Sequence, residues 1–391
     1  MRLPSTAPKN TDSGCREFWA RRVDVFLSLD LSNTDLNSSP SISRNYLLSS
    51  FVYFRTFAIM IIVAGHCYGL ALFARDGPAS IFAGNLITGG TTFFVFISGY
   101  LFHHVFYPRF NYRSFLGGKA RNLLAPFLLL STVALFVLLG SYPDLEILRH
   151  PLELGLADWI RFWLSFLAKG SAAVGYWYIP FIVLTFLISP LHVAFVRLSA
   201  KSQFGILALS LLVAVIVQKP INGTFSLQSV LTFSPAYLLG IFLSVHRDWA
   251  LAILRRLDVY VFVAGFGMAA LQTEIGHSGN YHSTFFTYIG IDLMLLQKLL
   301  LSLAFFSFFE RLASRGAVPR LINLIAQASF AVYFLHPFAI AAAQRSRFFP
   351  PTGLPALDLV LATLLVVAAC VGAALSIKAV AGTRSRYLIG Y

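Results

Sequence analysis

Phe51-Val52-Tyr53-Phe54-Arg55-Thr56-Phe57-Ala58-Ile59-Met60-Ile61-Ile62-Val63-Ala64-Gly65-His66-Cys67-Tyr68-Gly69-Leu70-Ala71-Leu72-Phe73 is an apolar run interrupted by one arginine and one histidine. It is long enough to cross a bilayer as a helix, which takes about 20 residues. Nine further runs of this kind follow, at 85–106, 122–140, 175–196, 203–218, 226–245, 257–271, 283–309, 323–344 and 354–376. The runs at 203–218 and 257–271 are the shortest. The expected fold is therefore an all-α integral membrane protein of about ten transmembrane helices packed in a bundle. The mixture of aromatic and small residues in the runs suits close helix approach.

Composition agrees. Of 391 residues, 57% are hydrophobic and only 12% charged, whereas soluble domains carry about 25% charged residues. This excludes a soluble enzyme and a disordered chain. The net charge of +14 does not mark a nucleic-acid partner. The basic residues lie in short gaps between apolar runs, which is the pattern of membrane topology, and the partner it implies is the lipid bilayer. With the N-terminus inside, the inner segments hold 21 of the 30 Lys and Arg residues and the outer gaps seven. Both termini are thus expected on the cytoplasmic side. Residues 1–50 form a polar cytoplasmic extension, with a short apolar run at 23–31, followed by a membrane domain over 51–376 and a short basic tail over 377–391. Cys15, Cys67 and Cys370 are too scattered for a disulfide framework. No His or Cys spacing suits a metal, and no glycine-rich phosphate loop of the Walker type is present.

Ionisable groups inside a span are costly and tend to be functional. Arg55 and His66 are eleven residues apart, about 20° beyond three full turns, so they project from one face about 16 Å apart along the axis. Taken singly, Arg55 reads as a snorkelling side chain and His66 as an interhelical hydrogen bond. Together they place a cation at the inner mouth, suited to a phosphate-bearing donor, and a titratable imidazole deep inside, suited to a general base.

Arg55-x10-His66 resembles the first-span signature of the membrane-bound acyltransferase-3 family. Phe93-Phe94-Val95-Phe96-Ile97-Ser98-Gly99-Tyr100 resembles the second-span motif, and Lys119-Ala120-Arg121-Asn122-Leu123-Leu124-Ala125-Pro126-Phe127 the basic loop entering span three. Trp177-Tyr178-Ile179-Pro180 with Ser189-Pro190, Tyr237-Leu238-Leu239-Gly240, and Ser329-Phe330-Ala331-Val332-Tyr333-Phe334-Leu335-His336-Pro337 match later ones in order. The ordered set, over residues 45–376, is more specific than any member of it. The resemblance implies a bacterial inner-membrane O-acyltransferase that takes an acyl group from cytoplasmic acyl-CoA, acetyl-CoA in the first place, to a glycan sugar. Within the family it is similar to the sugar acetylases that include the fucose and nodulation-factor acetylases. Two departures stand out. No extracytoplasmic hydrolase-like domain follows the last span, so a stand-alone transferase is expected. Lys119 and Arg121 occupy the loop where many relatives carry two arginines, and a lysine cannot make bidentate phosphate contacts.

The resemblance assigns His66 and Arg55 to catalysis, and Arg121, Lys119 and Arg55 to the phosphates of acyl-CoA, with Arg121 ranked ahead of Lys119. Topology alone also accounts for the basic loop, including Arg109 and Arg113. Ser98 and Tyr100 are placed in the His66 cavity, where Ser98 serves either the imidazole or the acyl carbonyl; a packing serine is the plainer reading. A Ser–His nucleophilic pair ranks below direct transfer. Trp177 and Tyr178 read as a sugar platform or as part of the interfacial aromatic belt. His336 reads as acceptor-binding or as a structural hydrogen bond. Asp292 and Lys298 lie about 240° apart around one helix and need partners elsewhere, His66 among the candidates. Glu274, His277 and His282 fall in an outer gap, read as a solvated loop or an acceptor contact. A polytopic transporter or flippase for glycans or lipids fits the same span count and internal charges, and a non-catalytic export partner is a weaker alternative. Both lack an account of the ordered motifs.

Overall fold

The structure, a computed structural model, describes residues 39–71, 77–141, 155–221, 226–285, 287–346 and 352–391. Most of the polar N-terminal extension, including the run at 23–31, lies outside the described residues, as does Arg75 in the gap after the first run. Sixteen helices follow: α1 (Ser39–His66), α2 (Pro78–Ile87), α3 (Thr91–Leu101), α4 (Tyr112–Lys119), α5 (Ala125–Ser141), α6 (Leu156–Lys169), α7 (Tyr178–Leu187), α8 (Ser189–Val196), α9 (Ala200–Val217), α10 (Ser226–Val245), α11 (Arg247–Glu274), α12 (Leu293–Ala313), α13 (Arg320–Gln327), α14 (Ser329–Ser346), α15 (Pro355–Ala381) and α16 (Ser385–Ile389). Two-residue strands β1 (Lys219–Pro220) and β2 (His282–Ser283) pair in parallel.

Among the described residues seven helices are long and apolar enough to cross a membrane, or nine if each of two bent pairs is one span. The bent pairs are α7 with α8, at 57°, and α13 with α14, at 74°. The one expected span outside this set, 257–271, lies in α11, which is 28 residues long but less apolar. Its Asp258 pairs with Arg311 of α12. The chain is thus a multi-pass, all-α membrane protein; its helices overlap the sequence runs, although the run at 283–309 becomes helical only at Leu293.

Aromatic side chains fill the centre. Phe57 of α1 meets Phe305 of α12 at 4.2 Å between ring centroids, and Phe54 touches Phe93, Phe96 and Phe309. In a bilayer the lipid tails are as apolar as leucine, so such contacts contribute through packing and ring geometry rather than exclusion of water. The crossing of α3 with α10 brings backbone against backbone. A Cβ on Gly99 would overlap the Tyr237 carbonyl, and one on Gly240 would overlap the Phe96 carbonyl. The glycines of the second-span motif and of Tyr237–Gly240 are therefore two halves of one contact.

The basic tail also packs. After α15 the chain turns at Gly382–Arg384, and α16 folds back with Ile389 and Tyr391 buried. Lys378 lies 4.4 Å above the Tyr391 ring. Cys67 and Cys370 are buried free thiols, as packing residues are.

Candidate active site

His66 ends α1, where the helix tightens into the turn Cys67–Gly69. Its half-buried ring stacks on that of His336 of α14, with centroids 5.2 Å apart and planes at 25°. His336 is fully buried. The residue after it is Pro337, which has no N–H to offer to the Tyr333 carbonyl four residues earlier. The His336 imidazole takes that role: Nδ1–H donates to the Tyr333 carbonyl at 2.7 Å and lies 3.2 Å from that of Val332. A carbonyl only accepts, so Nδ1 carries the proton and Nε2 the lone pair. Nε2 has no partner among the described residues.

The loop between α6 and α7 covers both imidazoles. Tyr333 donates to the Gly175 carbonyl at 2.6 Å, and Tyr176 donates to the Phe334 carbonyl at 2.7 Å. This reciprocal pair clips the loop to α14. Gly175 has φ +87°, a conformation side chains disfavour, and a Cβ there would sit 3.5 Å from His66 Nε2 and 3.8 Å from His336 Nε2. The two ring nitrogens therefore converge on one small volume under the loop.

Arg55 lies at the other end of the same helix face, 7% exposed. Its Nη2 donates to Ser329 Oγ at 2.7 Å, and the guanidinium lies 5.8 Å from the Phe330 ring. Ser329 opens α14, so one helix face of α1 meets α14 twice, through Arg55 and through His66. Lys119 ends α4, close enough to Arg55 to feel its charge. Its Nζ sits among three rings, 4.5 Å from Phe106, 5.3 Å from Phe115 and 4.6 Å from Phe186. Neither cation has a carboxylate partner among the described residues, and rings supply only a weak counter-charge.

The next five residues, Ala120–Leu124, form a wide π-helical turn. Arg121 stands on it exposed, as do Arg109 and Arg113 on the preceding segments. Of the two loop cations, Lys119 is partly buried among these rings and Arg121 is exposed.

Ser98 and Tyr100 part company, since two residues are about 200° of helix. Ser98 faces the Tyr178 phenol, and Tyr178 meets Tyr333 edge-on at 5.7 Å. Tyr100 packs against Phe51, with tilted rings 4.4 Å apart, and faces Arg247 and Ser244, in a network where Arg247 pairs with Glu310 at 2.6 Å. Trp177 stacks on Phe181 and Phe233, both at 5.8 Å, with Lys219 Nζ 5.9 Å from its ring.

Asp292 and Lys298 each have hydrogen-bond partners other than His66. Asp292 caps α12 by accepting from the Leu295 N–H at 2.8 Å. Burial raises its pKa to about 6, against the pull of that N–H and of nearby Lys219. Lys219 donates to Asn280 at 2.5 Å, and burial lowers its pKa to about 8. Lys298 donates to the Asn85 and Leu86 carbonyls at 3.1 and 2.7 Å, closing the C-terminus of α2 at the break before α3. In the segment after α11, His277 stacks on Tyr281 at 3.7 Å, and His282 Nδ1 donates to the Pro220 carbonyl at 3.0 Å. Burial lowers the pKa of both histidines. Gly175, Tyr176 and Ser329 were not foreseen as site residues. Ser329 opens the motif that runs to Pro337 without a role assigned to it, and the signal of the glycine is indistinguishable from that of any turn. Among the described residues no cluster suits a metal ion.

The profile of the acyltransferase domain family spans residues 48–377, most of the chain and all of the elements that build this site. The chain belongs to that acyltransferase-3 family and is a membrane acyltransferase. No curated protein and no solved structure matches it.

Proposed function

We propose that the protein is an O-acyltransferase, in the first place an O-acetyltransferase, moving an acyl group from cytoplasmic acyl-CoA to a sugar hydroxyl of a surface or secreted glycan. The single observation carrying this is the placement of Arg55, Lys119 and His66. Two cations with no carboxylate partner among the described residues sit at one end of a helix face, and an imidazole sits at the other. That distance suits an extended donor whose phosphates stay at the mouth while its thioester reaches inward.

In this reading Arg55 and Lys119 hold the phosphates, with Arg121 assisting from the surface, and the Arg55 end of α1 faces the cytoplasm. His66 accepts the proton of the sugar hydroxyl as its oxygen attacks the thioester carbonyl. The C–S bond breaks, and the proton passes to the departing thiolate. The packed loop at Gly175 and the aromatic surroundings keep out water, which would otherwise hydrolyse the thioester. Trp177, Tyr178, Ser98 and His336 border the acceptor. Tyr100 belongs to the network at the cytoplasmic end. The sugar acetylases of the fucose and nodulation-factor type define the acceptor class to try first, in a bacterial inner membrane.

The test is transfer by purified, reconstituted protein from radiolabelled acetyl-CoA to host glycan. Label in the glycan that is released by mild base establishes the reading. Protein that moves glycan or lipid across the vesicle without acetylating it contradicts it and identifies a transporter.

A further inference from the structure

The lone pair on His336 Nε2 is unexplained by the transfer step. Nδ1–H is committed to the Tyr333 carbonyl, and Nε2 is buried without a partner among the described residues. An unsatisfied buried polar atom costs free energy, so its lack of a partner needs a reason. Adding a proton to Nε2 would create an unpaired buried cation, which is worse. The atom therefore accepts hydrogen bonds and cannot donate one.

That property selects its partner. The carbonyl of a thioester only accepts, so Nε2 offers nothing to the reacting end of the donor. A sugar hydroxyl donates. His66 Nε2 and His336 Nε2 converge to within 3.5 and 3.8 Å of one point, and their rings are 5.2 Å apart. Imidazoles at this separation suit two hydroxyl groups on adjacent carbons of one ring, each oxygen about 2.8 Å from its own nitrogen.

We propose that His336 Nε2 binds a second hydroxyl of the acceptor, so that the enzyme acylates a polyol presenting two neighbouring hydroxyl groups, one to each imidazole. The inference rests on the acyl-transfer reading and narrows its acceptor. His66 removes the proton from the hydroxyl that reacts. His336 fixes the neighbour and so chooses which oxygen of the ring stands at the thioester. Because His336 touches the acceptor alone, its loss acts on acceptor binding and leaves the donor unaffected.

The test uses reconstituted protein, acetyl-CoA and a panel of methyl hexopyranosides in which each ring hydroxyl in turn is replaced by hydrogen. Wild type is expected to discriminate by about tenfold against the analogue lacking the hydroxyl next to the acylated one, the size of one hydrogen bond. His336→Phe keeps an aromatic ring against His66. It is expected to raise the acceptor KM about tenfold, leave the acetyl-CoA KM unchanged and abolish that discrimination. His336→Gln, which retains an acceptor oxygen, should recover part of it and stands in should the phenylalanine variant fail to fold. Equal discrimination in wild type and variants, or a rise in the acetyl-CoA KM, would overturn the proposal. Wild type that acetylates none of the hexosides, while cleaving acetyl-CoA, would instead overturn the sugar-acceptor reading on which it rests.

Discussion

The imidazole of His66 stacks 5.2 Å from that of His336, and the pairing is set by a proline. Pro337 withholds an N–H from the Tyr333 carbonyl, and that carbonyl fixes the proton of His336 on Nδ1. A helix irregularity in α14 thereby sets the tautomer of a site residue. The reciprocal bonds of Tyr333 and Tyr176 then hold the Gly175 loop over both rings.

Gly175→Ala should act on function more than on folding. At φ +87° an alanine costs about 1–2 kcal/mol. Its Cβ would occupy the volume shared by the two Nε2 atoms. Transfer should fall at least tenfold, while the thermal transition in detergent drops by a few degrees. An unaltered rate would mean that the reacting atoms lie elsewhere.

Lys119→Met keeps a long side chain among Phe106, Phe115 and Phe186 and removes the charge. The acetyl-CoA KM should rise about tenfold, consistent with losing one charge-assisted hydrogen bond. The salt dependence of that KM should weaken in parallel. Arg121→Gln, at the surface, should change it by less than threefold. Titrations of initial rate against acetyl-CoA in both variants separate the two cations.

Much of this was legible in the chain. The Arg55–His66 spacing gives the shared helix face, and the apolar runs locate the helices. What escaped was contact between helices. That α14 meets α1 at both Arg55 and His66 depends on the 74° bend before Ser329. That Lys119 is partly buried and Arg121 exposed turns on helix phase next to a π-helical turn, which spacing does not reveal. Lys298 reads as a charge in need of a partner, and its partners are backbone carbonyls exposed by the break between α2 and α3, invisible in composition.

Gly240→Ala probes the crossing of α3 and α10. The new Cβ would strike the Phe96 carbonyl, so the helices must separate along their length. The variant should lose its monodisperse peak in fluorescence-detected size exclusion. Gly205→Ala on α9, where a Cβ meets nothing within 4 Å, should behave as wild type.

Asp292 gives a pH signature. Its folded pKa of about 6 lies above the ordinary carboxylate value, so the fold favours the neutral acid. Its contribution is present in full below about pH 4 and is lost as pH rises through about 6. Asp292→Asn keeps the cap on Leu295 and removes the titration. The variant should match wild type near pH 4 and gain on it in melting temperature up to pH 7. Lys219 works in the opposite sense: its lowered pKa of about 8 favours the neutral amine, and that contribution is lost as pH falls from about 10.5 through 8. A constant difference between wild type and Asp292→Asn from pH 4 to 7 would contradict burial of the carboxyl.

The central claim is that His66 performs acyl transfer to a glycan. The most direct measurement is mass spectrometry of surface and secreted glycans from cells lacking the gene, complemented with wild type or with His66→Ala. A base-labile, acetyl-sized mass gain that appears with wild type and is absent with His66→Ala, at equal membrane levels of both proteins, is the predicted result. The same gain with His66→Ala would contradict it.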